Sequence, residues 1–286
     1  MRVRAFAKIN LSLRILGVRP DGYHALRTVF QSVALHDQLT LTRTRSRFVF
    51  TCDDPACPAD STNLVWRAAE RVWSAAGRRG GPAGVRIHLI KRIPMKAGLG
   101  GGSSDAAATI RALGRLWQVD AQRLHDVARQ LGADVPYFFE GGTVLGLDRG
   151  DRLFPLFDRP HAWVVLAVPP AGVSTAEAFG WFDSLHGSRL RARDRRRQAG
   201  RDEEGINDLE VVVSRRHREI AALVDSLRAC GASPAAMSGS GSAVFGLFHS
   251  RSTALRAAKA VSARRAARVF VTRTIDRATY QRLACK

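Results

Sequence analysis

Lysine is nearly missing from this chain of 286 residues: five of its 45 basic residues are lysines and the rest are arginine. Cysteine is scarce too. Cys52, Cys57, Cys230 and Cys285 are the four present, and one C-x4-C pair without histidine partners does not make a zinc site. No apolar run approaches the roughly 18 residues that a membrane-spanning helix needs. Lys8 and Asn10 interrupt what would be the apolar core of a signal peptide, so no secretory leader is expected. Reduced cysteines in a cytoplasmic protein are the reading these absences favour.

What is present is a formal charge of +20, an apolar share of 45% and length enough for one large domain or two ordinary ones. The charge suits nucleic acid or anionic ligands. The arginines are spread along the chain, however, and a composition-wide bias explains them as well.

The most informative stretch is Pro94-Met95-Lys96-Ala97-Gly98-Leu99-Gly100-Gly101-Gly102-Ser103-Ser104-Asp105, followed by an alanine-rich helical pattern. A glycine loop entering a helix N-terminus aims free N–H groups and a positive dipole end at one spot, which favours a phosphate. A flexible turn before a helix is the alternative. Ser103, Ser104 and Asp105 are the residues expected to cap that helix. No Lys-Ser/Thr follows the last glycine, and Ser103 stands where GxGxxG needs glycine, so neither common phosphate-loop fingerprint applies.

The alternation of Val3, Ala5, Ala7, Ile9, Leu11, Leu13 and Ile15 predicts a half-buried strand or hairpin. Lys8 and Asn10 fall on its other face, either projecting together into a cleft or lying on a solvated surface. Residues 17–27 read as a loop with a Pro20-Asp21-Gly22 turn, and Tyr23 and His24 there suit stacking on, and hydrogen bonding to, a flat ligand. Strands are expected over 28–42, 47–52 and 85–90, with an amphipathic helix over 63–73. After the glycine stretch, Ala106, Ile110, Leu113 and Trp117 mark one buried helix face. Asp120 should cap the next helix, Gly132 should end it as a C′ residue, and Asp134 before Pro136 reads as a further N-cap.

Apolar strands follow Gly142, and a domain boundary is expected near 150–160. Residues 173–186 form a short helix carrying Phe179, Trp181 and Phe182. Seven arginines crowd the stretch 187–205, which reads as a surface loop or an anion-binding arm. Asn207-Asp208-Leu209-Glu210 opens another helix, one centred on Ile220 to Leu227 follows, and a second small-residue loop runs from Met237 to Ser242. A strand over 243–248, a helix over 251–266 and a strand over 269–272 complete the pattern.

Taken together, Ala7-Lys8-Ile9-Asn10-Leu11, the stretch 94–108 and Met237-Ser238-Gly239-Ser240-Gly241-Ser242 resemble the GHMP kinase superfamily along nearly the whole chain. Asp21-Gly22-Tyr23-His24, Gly132-Ala133-Asp134-Val135-Pro136 and Asn207-Asp208-Leu209 narrow the resemblance to the branch acting on a diphosphocytidyl methylerythritol in non-mevalonate isoprenoid synthesis.

The resemblance implies an α+β fold of two domains, about 1–155 and 156–286, with the active site between them. The first would be like the second domain of a ribosomal small-subunit protein, and the second ferredoxin-like. It implies ATP and Mg2+ as cofactors, a small cytidine diphosphate derivative as substrate, no membrane, and a monomer or homodimer. By match to the family motifs, Asp134 would accept the hydroxyl proton, Lys8 would face it, and Asn10 would orient the substrate. Gly98, Leu99, Gly100, Gly101, Gly102, Ser103 and Ser104 would wrap the ATP phosphates, with Asn63 and Lys96 near the adenosine. Cytosine would stack on Tyr23 and on Phe179 or Trp181, with Phe179 preferred, while His24 bonds its edge. Gly239 and Ser240 would close the cleft, and Asp208 would fix neighbouring loops. No magnesium-binding glutamate is assignable, and Asp134 is the alternative carboxylate for the metal. The rivals are another small-molecule kinase of the superfamily, acting on homoserine, mevalonate or a sugar, and an RNA-binding protein. The second leaves the glycine stretch and the Lys8/Asp134 pair without a purpose.

Overall fold

A computed structural model describes residues 1–187, 204–264 and 267–284. The arginines expected to form a loop or arm lie outside the described residues.

Two long strands organise the first layer. β1 (Arg2–Val18) and β2 (His24–Arg47) form an antiparallel hairpin around the Pro20-Asp21-Gly22 turn. His24 is therefore the first residue of a strand, and the loop is shorter than expected. β2 runs to 24 residues because its two ends serve different neighbours. Its first half pairs with β5 (Thr143–Asp148) and its second with β4 (Ala83–Ile90). β3 (Val49–Cys52) lies parallel to β4, β6 (Arg152–Pro155) antiparallel to β5, and β8 (Ile206–Asn207) parallel to β1, giving seven strands.

Helices α1 (Leu64–Ala75), α2 (Gly101–Trp117) and α3 (Ala121–Leu131) pack with this sheet around Phe6, Leu39, Ile87, Val65 and Ile110. Ala106, Ala107 and Ala108 are all buried, and their small side chains let α2 lie close to its neighbours. Asp120 caps α3 through the Arg123 amide at 2.9 Å. Gly132 at its end has φ 169, which is extended rather than the left-handed C′ geometry expected.

The second sheet has the order β11 (Arg268–Arg273), β7 (Trp163–Val168), β10 (Val244–Phe248), β9 (Ala235–Met237), all antiparallel. α5 (Thr175–His186), α6 (Glu210–Arg216), α7 (Arg218–Ala229) and α8 (Arg251–Arg264) belong to this half, following a one-turn α4 (Tyr137–Glu140) in the first. The closing helix α9 (Arg277–Ala284) returns to the first core, where Tyr280 is fully buried and donates to the Phe138 carbonyl at 2.7 Å.

A third apolar cluster joins the two halves: Ala7, Ile9 and Leu11 of β1 meet Ile93, Leu99, Leu166 and Phe245. This explains the burial of β1. One face packs on apolar residues, and the Lys8–Asn10–Ser12 face is buried as well rather than solvated.

Candidate active site

A cavity of about 1000 Å³ opens between the two halves. Lys8, Asn10, Tyr23, His24, Asn63, Lys96, Gly98 to Ser103, Asp134, Phe179, Gly239 and Ser240 all line it. Two residues singled out from sequence do not. Ser104 is buried behind the loop, and Trp181 packs near His217 and under Arg216.

Lys8 reaches the cavity from the middle of β1. A buried ammonium needs partners. Its Nζ donates to Asn10 Oδ1 at 2.7 Å, lies 3.5 Å from Asp134 Oδ2 and sits 5.5 Å from the Phe30 ring centre. The asymmetry of this pair matters: the Lys8 side chain is 4% exposed and that of Asp134 is 37% exposed. The carboxylate thus faces the cavity while its counter-ion stays dry.

Asp134 is not the helix cap expected. α4 begins after Pro136, whose backbone is helical and whose side chain cannot cap, so the carboxylate is released toward Lys8. Asn10 is oriented by Thr28, whose Oγ1 accepts from Asn10 Nδ2 at 2.8 Å and donates to the Ser12 carbonyl at 2.7 Å.

The glycine stretch differs from its sequence reading at the helix start. Gly100 adopts a left-handed conformation, φ 70, and α2 begins at Gly101 with no side-chain cap. Ser103, Ser104 and Asp105 therefore lie inside the first turns. Four near-consecutive glycines let the backbone turn into the helix by itself. Ser104 N donates to the Gly100 carbonyl at 2.9 Å, but the N–H groups of Gly101, Gly102 and Ser103 have no acceptor among the described residues. Such donors at a helix start form an anion cradle.

Three distant segments are stitched together here. Lys8 N donates to the Leu99 carbonyl at 3.0 Å. Ser238 Oγ donates to the Gly98 carbonyl at 3.0 Å and accepts from Asn10 N at 3.3 Å. A Cβ on Gly239 would come within 3.3 Å of both Lys8 Nζ and Asn10 Oδ1, so glycine keeps this loop against the charged pair. Asn207 anchors the arrangement by donating 2.8 Å bonds to the carbonyls of both Met237 and Gly239. Asp208, expected to fix loops, accepts from Ile15 N at 2.9 Å and pairs with Arg14.

Leu64, Pro94 and Met95 line the cavity together with Asn63 and Lys96. Asn63 caps α1 through Val65 N at 2.8 Å and donates to the Pro58 carbonyl at 2.8 Å, so its side chain is already committed to shaping the wall. The His24 ring, also on the cavity wall, stacks on Phe179 with 4.6 Å between centroids and 23° between planes. Tyr23 is exposed, its ring 5.4 Å from the Arg149 guanidinium.

Beneath the loop, Lys91 Nζ bridges Asp37 and Asp105, at 2.7 Å from the latter. Burial pushes Asp105 up to about 7, partly offset by Lys91. Lys91 is raised by the two carboxylates against its own desolvation.

This chain matches the models for the GHMP kinases N terminal domain over residues 63–142 and the GHMP kinases C terminal over residues 190–267. It is 43% identical over 270 residues to 4-diphosphocytidyl-2-C-methyl-D-erythritol kinase of Solibacter usitatus, covering 89% of this chain and 83% of that one. It is equally 43% identical over 266 residues to the enzyme of the same name from Moorella thermoacetica, covering 89% and 92%. The chain belongs to the 4-diphosphocytidyl-2-C-methyl-D-erythritol kinases, a family within the GHMP kinases. A crystal structure of 4-(cytidine 5'-diphospho)-2C-methyl-D-erythritol kinase superposes with a TM-score of 0.78 at 36% identity, covering 96% of this chain and 99% of that one. The two-domain α+β architecture is that of the GHMP kinases.

Several residues of this kinase's site escaped the sequence reading. Thr28 acts through contacts made across 16 and 18 positions, and the grip of Asn207, read from sequence only as part of a motif, on the Met237 and Gly239 carbonyls spans at least 30, which no local pattern reveals. Lys91 offered one signal, being among the five lysines in an arginine-dominated chain.

Proposed function

We propose that this kinase transfers the γ-phosphate of ATP to the 2-hydroxyl of 4-diphosphocytidyl-2-C-methyl-D-erythritol, with Asp134 as the proton acceptor. The carrying observation is the convergence of the Lys8 ammonium, the Asp134 carboxylate and the unpaired N–H groups of residues 101–103 on one cavity. Phosphoryl transfer asks chiefly for positioning and charge stabilisation, and these groups supply both. The substrate hydroxyl gives its proton to Asp134 as its oxygen bonds to the γ-phosphorus. The bond from that phosphorus to the β-bridging oxygen breaks, and ADP leaves. Lys8 offsets the negative charge of the attacked phosphoryl group, and the loop amides hold the remaining phosphates. Asn10, fixed by Thr28, directs the acceptor, while Gly239 and Ser240 face it from the other half.

The adenosine lies toward Leu64, Met95, Asn63 and Lys96, and the cytosine toward Tyr23, His24 and Phe179. Among the described residues no three His, Cys, Asp or Glu side chains form a metal cluster, and the Lys91 ammonium already occupies the space beside Asp105. The fit is to Mg2+ held mainly by ATP oxygens with Asp134 beside it, the arrangement usual for this ion. When bound, that ion neutralises the phosphate charge.

A coupled assay with ATP and the cytidyl substrate should show ADP release that homoserine and mevalonate do not support. Turnover on either of those alone overturns the assignment. Two further outcomes are expected in the same assay. Phe179→Ala should raise KM for the cytidyl substrate by about tenfold while Trp181→Ala leaves it near the wild-type value. Equal effects would remove Phe179 from the base site. At Gly98, φ 72, an added Cβ would collide with the Ser238 carbonyl oxygen. Gly98→Ala should therefore displace the loop and lower kcat/KM for ATP by about 10- to 100-fold. An unchanged value would separate this contact from phosphate binding.

A further inference from the structure

Asp183 has no place in the sequence reading, yet it lines the cavity at the His24 end. His24 Nε2 lies 2.7 Å from Asp183 Oδ1. The ring is fixed from two more directions, stacked on Phe179 and edge-on to Phe182 at 6.4 Å and 87°. Phe179 and Asp183 are four residues apart on α5, so one helix face sets both the plane of the imidazole and the partner of one nitrogen. The start of that helix is itself held by a capping box between Ser174 and Glu177. His24 Nδ1 has no hydrogen-bond partner among the described residues.

We infer that Asp183 holds His24 as the Nε2–H tautomer, and that the Nδ1 lone pair left over selects a pyrimidine with an exocyclic amine at position 4. This rests on the reading that the cavity's Tyr23–His24 end receives the pyrimidine base. An ionised carboxylate only accepts, so the nitrogen facing it carries the proton. The other nitrogen of the neutral ring is then an acceptor. The 4-amino group of cytosine donates to such an atom. The 4-carbonyl oxygen of uracil would meet it lone pair to lone pair. A site built around one hydrogen-bond direction discriminates strongly against the reversed one. Asp183 is a positioning residue here, because it reaches the base only through His24.

The probes are cytidine 5′-diphosphate and uridine 5′-diphosphate, titrated calorimetrically into the full chain at pH 8 and fixed salt. Long-range 15N–1H spectra of the labelled protein report which ring nitrogen carries the proton. Wild type should carry it on Nε2 and bind the cytidine nucleotide roughly tenfold or more tightly. Asp183→Asn, whose amide accepts or donates equally well, should shrink that ratio. Asp183→Lys offers Nε2 a donor, so the proton should move to Nδ1 and the ratio should fall to about one or below. Added charge changes both affinities alike and cancels in the ratio.

A wild-type ring protonated on Nδ1 overturns the inference. So does a cytidine preference that survives unchanged in both variants, which leaves the base site itself standing. A wild type without preference between the two nucleotides removes the cytidine reading along with it.

Discussion

Asp134→Asn is expected to lower kcat by about 10²–10⁴ with little change in KM for either substrate. The substitution keeps shape and removes the ability to take a proton. Its specificity as a test comes from where Asp134 sits. It caps no helix, because α4 starts after Pro136, and its side chain is partly open to the cavity. The fold should therefore survive, with Lys8 still bonded to Asn10 at 2.7 Å. Lys8→Met would be a poorer probe, since it strips Asn10 and Asp134 of a shared partner in a dry setting. Single-turnover measurements would place the loss on the chemical step. A reduction under about tenfold with the fold intact would take Asp134 out of the proton-accepting role and leave positioning and charge as the whole of catalysis.

The elements of this fold that could be read from sequence are those with a sustained period. α2 shows its stripe of Ala106, Ile110, Leu113 and Trp117, and all four are buried. α9 has eight residues and buries only Tyr280 and Ala284 within them, too few for a period to emerge. β8 has two residues and exists because β1 offers it an edge. Helix starts were misjudged where backbone chemistry replaced side-chain chemistry: Gly100 made a cap unnecessary before Ser103, and Pro136 displaced Asp134.

In the candidate site, the residues chosen from sequence converge on one cavity, but their orientation needed the fold. Phe179 and Trp181 stand two positions apart, which on a helix is about 200° of rotation, so one of them faces away from any given ligand. The resemblance favours Phe179, but no local pattern in the sequence tells which. The structure turns Phe179 to His24 and Trp181 to Arg216. Asp183 had no signal at all, since an acidic residue in the last turns of a short helix is ordinary surface chemistry until His24 arrives from a strand 159 positions away.

Lys91→Met should destabilise the protein by about 3–5 kcal/mol, the cost typical of breaking a buried ion pair by removing one partner. Lys91 follows β4 and joins Asp37 on β2 to Asp105 on α2, both carboxylates being buried. Asp37 retains other support, since its Oδ1 accepts from Ile93 N at 2.7 Å. Asp105 does not: its Oδ1 is buried without a partner, and loss of Lys91 strips Oδ2 as well.

Asp105 also sets a pH dependence. Burial pushes it up to about 7, with repulsion from Asp37 adding to this and Lys91 opposing it. A carboxyl whose folded-state value exceeds the unfolded 3.8 holds its proton longer in the native state. Its stabilising contribution is complete below about pH 4 and is lost as pH rises through about 7. His36 acts with the opposite sign, because desolvation lowers it from 6.5, so its contribution is present above that value and lost on acidification. Comparing wild type with Asp105→Asn isolates the first effect. Urea midpoints of the wild type should drop relative to the variant between about pH 4 and 7 and stay level above that. Parallel pH profiles for the two proteins, or a Lys91→Met protein within about 1 kcal/mol of wild type, would mean that the ion cluster is not what holds the glycine loop's helix to the sheet.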